Sequence, residues 1–406
     1  MGALVAVTAT LALATACGGG GGGGNNDKVK LSSSHGHVAP ASQASVTLQP
    51  PPGSQNVAPN TPVVVKAASG TLASVTVTGS DNKPLKGALS ADKTTWTSSS
   101  PLGYGETYNV QAEAQDKAGK AKDVTGQFAT FKPTKMTMPR IIPNGGTWGV
   151  GKSLIVTFDE PIKDKAAAER ALTVTTSPTK LEGSWRWFSS KEVHWRPKTD
   201  PGTYWPAHTH VTVTANVLGV DLGGGMYGQA DKVGSFDIGD SHVAISDDAT
   251  HQMQVFVNGV MTRQIPVAMG QHRTIQAAGK SFDLRTHSGP HVVTEKFATK
   301  HMDSSTFGLP NDSQYGYVAD LPFAVRISDA GEFVHVNANT VHSQGHADVS
   351  HGCINVSPEN GQWFYNLFGP GDVVDVHGTG LALDPADGHS DWVIPWSTWV
   401  SGSALN

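Results

Sequence analysis

Two cysteines occur in this 406-residue chain, Cys17 and Cys353. The second lies in "HVNANTVHSQGHADVSHGCINVSP" (335–358), a stretch dense in residues able to do chemistry. A thiol attacks as thiolate, so it needs a base or a positive field beside it. His335 ends the extended run "GEFVHV", on the same side as Phe333 and facing the core, 18 residues before Cys353. That gap lets the loop return and set thiol beside imidazole, and a turn-rich loop of this length reads as functional or mobile. Gly352 has no Cβ to hold a substrate off, and the amides of Gly352 and Cys353 are natural donors to an oxyanion. These residue types together support acyl transfer.

Two other readings use the same residues. His335, His342, His346, His351 and Cys353 could ligate zinc, with His342 and His346 spaced i,i+4. Gly345 and the surrounding Ser, Asn and Asp oppose the helix that would put that pair on one face, and no H-E-x-x-H pattern is present. Cys353 could also be an inert buried thiol. His287 and His291, in "THSGPH", read as loop residues or channel walls, and Asp221, in the glycine loop "VDLGGGMYG", as a turn former.

The elements that must position these groups are mostly strands. The chain opens on "MGALVAVTATLALATAC", an apolar run of about 14 residues, too short for the roughly 20 that cross a bilayer but suited to an export signal. Its end, Ala14-Thr15-Ala16-Cys17, resembles a bacterial lipoprotein signal, which implies lipidation of Cys17 and a membrane anchor; an ordinary cleaved signal is the alternative. With Cys17 at the anchor, Cys353 has no disulfide partner, and an exported free thiol suggests a use. Residues 18–53 are Gly-, Ser- and Pro-rich and read as a flexible tether. The net charge of −5, with no basic runs, argues against nucleic acid as a partner.

Residues 54–132 alternate as half-buried strands do, and 136–239 repeat the pattern about 100 residues later. "VTVT", Trp96 and "YNVQAEA" in the first correspond to "LTVT", Trp195 and "HVTVTANV" in the second. Strand spacing and a core Trp predict two immunoglobulin-like sandwiches, with Trp185, Trp187, Trp195 and Trp205 filling core or interface. A third β-rich unit spans 240–378. In it Asn258-Gly259 predicts a hairpin, "PFAVRI", "EFVHV", "CINV" and "DVVDVHG" predict strands, and Ser357-Pro358 opens a short helix stopped by Gly369-Pro370. Residues 379–406 form a tail whose Trp392, Trp396 and Trp399 are expected to pack against the second unit.

A His, about 14 spacer residues, then Ser-His-Gly-Cys-Ile-Asn resembles the signature of the L,D-transpeptidase (YkuD-type) catalytic domain. "MDSSTFGLP" (302–310), "YGY" (315–317) and "DWVIPWSTW" extend the likeness to the mycobacterial members, which carry two immunoglobulin-like domains ahead of the catalytic one. The resemblance implies Cys353 as nucleophile, His335 as its base, and the Val336 carbonyl orienting His351 or the active-site loop. It implies Tyr317 with the Gly352 and Cys353 amides around the oxyanion. Asn355 with the Ala330-Gly331 backbone would hold the donor, Ser350 and His351 would belong to the site, and Met302 and Phe307 would wall a lid. The implied partners are peptidoglycan stem peptides, a tetrapeptide donor and a diamino-acid acceptor, with carbapenems as inhibitors and no metal or organic cofactor. "AGKSFDLRTHSGPHVVTEKF" (278–297) departs from the family pattern, so the hairpin leading to the lid is expected to differ in shape.

Overall fold

The structure, a computed structural model, describes residues 41–387 and 390–406. The signal, Cys17 and the glycine run lie outside the described residues. The first β unit begins earlier than the expected boundary at 54. Ser45–Gln49 pairs antiparallel with Val64–Ala68, and Ala44 is buried in the core. The short "SVTLQ" alternation is diluted by Ser, Gln and Pro on both sides, which hid the strand in the composition. A four-stranded and a three-stranded sheet enclose Trp96, Tyr108 and Phe128.

Two four-stranded sheets form the second unit, closed over Trp185, Trp195 and Trp205, with Trp187 packed at the edge. The tryptophans thus fill a core, as expected from their place among alternating strands. A helix not anticipated from sequence, Lys165–Ala171, sits here, and the Asp164 carboxylate caps it by accepting from Ala167 N. The first unit meets the second through Tyr104, whose hydroxyl donates to the Gly228 carbonyl and accepts from Gly219 N.

The third unit carries two sheets. Five strands run in the order Val260–Pro266, Gln252–Val257, His242–Asp247, Val373–His377, Gly289–Val292. Four more run Glu295–Asp303, Val318–Arg326, Phe333–Val336, Ile354–Val356. The Asn258-Gly259 turn joins the first two strands of the larger sheet. The helix Pro358–Leu367 lies across the smaller sheet, its N-terminus capped by Ser357. Phe364 and Phe368 stack at 3.9 Å and bury that face against Val334, Ile354 and Val356.

The tail docks on the second unit. Trp399, fully buried, donates its indole N–H to the Ser184 carbonyl at 2.9 Å. Arg196 donates to the Asp391 and Ile394 carbonyls, both at 2.7 Å, and its guanidinium lies over Trp392, Trp396 and Trp399.

Candidate active site

Phe333–Val336 and Ile354–Val356 are parallel neighbours, with Val334 opposite Ile354 and His335 opposite Asn355. Parallel strands cannot be joined by a tight turn, which is why a long loop separates His335 from Cys353. Cys353 stands just ahead of its strand, in line with Phe333 and two register positions before the residue opposite His335. His335 is buried, 3% exposed, and its Nδ1 donates to the Val336 carbonyl at 3.0 Å. That bond fixes the tautomer and leaves Nε2 as the lone-pair nitrogen. The Val336 carbonyl therefore orients His335 itself, not His351 or the loop as the resemblance implied.

Burial pushes the Cys353 thiol up to about 12, the Phe333 amide opposing and the Glu332 carboxylate reinforcing the rise. Burial likewise pushes His335 down to about 4, against its bond to Val336. At neutral pH the resting pair is a neutral thiol and a neutral imidazole. A thiolate would then have to form on demand, and Nε2 is the nitrogen with a lone pair to accept its proton.

The turn around Cys353 is braced from inside. Ser350 Oγ donates to the Cys353 carbonyl at 2.6 Å and accepts the Gly352 N–H at 3.1 Å. This corrects two expectations. The Gly352 amide, expected at the oxyanion, is committed to Ser350, and the Ser350 hydroxyl, expected to bind substrate, is spent within the motif. A hydroxyl two residues before a glycine satisfies such a turn locally, a role the motif alone does not reveal. Burial drives the Tyr317 hydroxyl well above its ordinary value, so it is a donor and not a base. Its ring packs on His351 at 5.2 Å, and His351, held low by burial, has a buried Nε2 with no protein partner.

Two cavities meet at Cys353. The larger, about 610 Å³, is lined by Met302, Phe307, Ala330, Gly331 and Gly352, among others. The smaller, about 240 Å³, contains His335, Asn355, Ser350 and Asn337. Met302, Tyr317, His351 and Cys353 border both. Asn355, expected to work with Ala330-Gly331, is on the other side of the sulfur, and its buried Oδ1 has no protein partner. Met302 is buried beneath the rim while Phe307, 43% exposed in the 3-10 turn Ser304–Phe307, overhangs it. The divergent segment supplies wall residues Ser281 to Arg285 and His287.

Sequence reasoning missed two buried residues next to the turn. Thr286 Oγ1 donates to the Gly352 carbonyl at 2.8 Å. Glu332, 5% exposed, receives His287 N and Nδ1 on Oε1 and faces His291 Nε2 across 3.0 Å on Oε2. Burial of Glu332 disfavours its charge, but the two histidines outweigh it and hold the carboxyl at about 2. His287 lines the larger cavity, as the wall reading anticipated, whereas His291 is sealed inside. Among the described residues, the Asp, His, Glu and Cys groups whose ligand atoms converge are Asp248, His272 and Asp348, none of them in the set weighed for zinc. His342 and His346 are exposed, and Asp221 accepts from Gly223 N, as a turn former does.

Residues 241–376 match the family model described as an L,D-transpeptidase catalytic domain, and residues 54–221 match one described as a bacterial Ig domain. L,D-transpeptidase 2 of Mycobacterium tuberculosis (strain CDC 1551 / Oshkosh) is 40% identical over 90% of this chain and 86% of its own. L,D-transpeptidase 5 of the same species (strain H37Rv) is 37% identical over 90% of this chain and 78% of its own. An L,D-transpeptidase solved in complex with imipenem is 33% identical over 59% of this chain and 97% of that one, with a TM-score of 0.47.

Proposed function

The chain belongs to the L,D-transpeptidase family, and from that premise we propose that it forms 3→3 cross-links between peptidoglycan stem peptides through a thioester on Cys353. The observation that carries this reading is the meeting of two cavities at one sulfur, with a histidine oriented through Nδ1 lining one of them. A two-substrate transfer needs two approaches to one acyl group.

In the first half, Cys353 Sγ attacks the carbonyl of the third residue of a tetrapeptide stem as its proton passes to His335 Nε2. The Cys353 N–H and the Tyr317 hydroxyl receive the oxyanion. Collapse breaks the amide to the terminal D-alanine, whose nitrogen takes the proton from His335, leaving the thioester. In the second half, the side-chain amine of another stem's diamino acid attacks, giving its proton to His335. Collapse forms the new amide and returns the proton to sulfur. The scheme calls for no cofactor. The larger cavity, with the Ala330-Gly331 backbone at its edge, suits the donor stem, and the smaller one, holding His335 and Asn355, suits the amine. A β-lactam amide of the carbapenem type would acylate the same thiol. The apolar leader ending at Cys17 supports an exported enzyme, lipid-tethered at the outer face of the membrane and reaching into the wall.

Incubating the purified chain and its Cys353→Ala variant with a disaccharide-tetrapeptide, followed by mass spectrometry, tests the reading. A dimer lacking one D-alanine, formed only by the unaltered enzyme, is expected. Tripeptide alone would replace the transferase with an L,D-carboxypeptidase on the same thiol, and no change in either case would sink both.

A further inference from the structure

The Gly352 carbonyl and the Cys353 N–H belong to one peptide unit, and a trans peptide holds those two bonds antiparallel. Whatever grips the carbonyl therefore aims the amide. The grip comes from Thr286, fully buried, whose hydroxyl donates to Gly352 O at 2.8 Å and accepts from Gly270 N at 2.9 Å. Arg285 and His287 line the larger cavity while Thr286 between them does not, so Thr286 lies beneath the turn. The Cys353 N–H is thereby turned the other way, to the cavity side. Gly352 needs its φ of +124° for this arrangement, a conformation costly for any residue with a Cβ.

Thr286 is itself held. The next residue, His287, donates both its backbone N–H and Nδ1 to Glu332 Oε1, at 2.8 and 2.9 Å. Glu332 Oε2 lies 3.0 Å from His291 Nε2, while His291 Nδ1 is 2.9 Å from the Gly289 carbonyl. A carbonyl can only accept, so Nδ1 carries a proton, and the contact to Glu332 needs a second one between Nε2 and the carboxylate. The result is a buried, charged clamp. A Cβ built on Gly352 would stand 3.7 Å from Glu332 Cγ and Oε1, so the clamp lies against the turn.

We propose that Thr286, fixed by the Glu332–His287–His291 clamp, is a positioning residue that aims the Cys353 amide as the oxyanion donor. This rests on the acyl-transfer reading of Cys353. The separating measurement compares two reactions of one sulfur. Acylation by imipenem passes through an oxyanion; alkylation by iodoacetamide does not. In Thr286→Val, acylation should fall about 10- to 100-fold, the scale of a misplaced or lost oxyanion donor, while alkylation stays within about twofold. Thr286→Ser, which keeps the hydroxyl, should restore acylation, and Thr286→Ala should reproduce the loss if the valine variant does not fold. Equal falls in both reactions, or no fall in either, overturns the assignment. An unaltered enzyme that is alkylated at Cys353 but never acylated overturns the acyl-transfer reading instead, and this inference with it.

Discussion

His335 spends its Nδ1 proton on the Val336 carbonyl, 3.0 Å away, so that Nε2 is the lone-pair nitrogen of a ring that lines the smaller cavity. One carbonyl thereby decides which nitrogen can serve as base. Burial then decides when it is charged, holding His335 at about 4 and Cys353 at about 12.

The pH dependence follows. Between these two values the imidazole is neutral and the thiol protonated, so acylation by a β-lactam should stay level across the neutral range. It should fall as pH drops through about 4, where Nε2 takes a proton and loses its function. Alkylation, which follows the free thiolate, should instead rise about tenfold per pH unit through neutrality. A level alkylation profile would mean a preformed thiolate–imidazolium pair. His335→Ala should lower acylation by about 10²- to 10⁴-fold, the usual worth of a general base.

His194 joins the second β unit to the tail. It contacts Asp391 at 2.9 Å through Nδ1 and Glu192 at 3.1 Å through Nε2. Burial disfavours charge on the ring, but the two carboxylates outweigh it and raise His194 to about 9. A folded value raised above the unfolded 6.5 stabilises fully below 6.5, and that share is lost as pH rises through about 9. Denaturant midpoints should therefore fall between neutral pH and about 9. Asp391→Asn should lose about 3 kcal/mol near neutrality and flatten that slope; an unchanged slope would remove the pair from the account.

Arg196 serves the same junction by shape. Its two nitrogens reach separate carbonyls, and its plane lies over three indoles. A lysine is a point charge without the fork or the plane. Arg196→Lys should cost about 2 kcal/mol, the loss of a charged hydrogen bond, read as a lower thermal midpoint and faster hydrogen exchange at residues 391–400. Stability equal to the unaltered chain would show that charge alone holds the tail.

How much of this was legible in the chain depends on range. Cys353 and His335 stand in one motif, and the Asn258-Gly259 turn and the Ser357-capped helix are local signals, so each was readable. The Trp repeat announced two sandwiches because a core Trp leaves a large apolar mark. Glu332 was not readable as a clamp, since its partners His287 and His291 lie 45 and 41 positions earlier, just ahead of and within the Gly289–Val292 strand, and meet it only after folding. Ser350 does line the smaller cavity, but sequence shows a hydroxyl and not where its bonds go. Asn355 was placed with Ala330-Gly331 because spacing does not tell which side of the sulfur a strand residue faces.

The contact between the second β unit and the catalytic unit turns on backbone lying against backbone. Gly149 N donates to the Pro370 carbonyl at 3.1 Å, and Gly151 N to the Gly371 carbonyl at 2.7 Å. A Cβ on Gly149 would overlap Asp372 N, Asp372 Oδ1 and the Gly371 carbonyl carbon, none of them the end of a long flexible side chain. Asp372 cannot step aside freely, because its carboxylate also contacts His242 Nδ1 and accepts from Gly369 N. Gly149→Ala must then separate the two units or distort the 369–372 turn, at a cost of about 1–3 kcal/mol for overpacking. Because 369–372 leads into the Val373–His377 strand and the active-site turn lies on the other sheet, acylation of Cys353 should persist while the thermal midpoint drops. Protease cleavage near residues 239–242 should accelerate with it. A variant as stable and as resistant as the unaltered chain would show that the junction yields without cost.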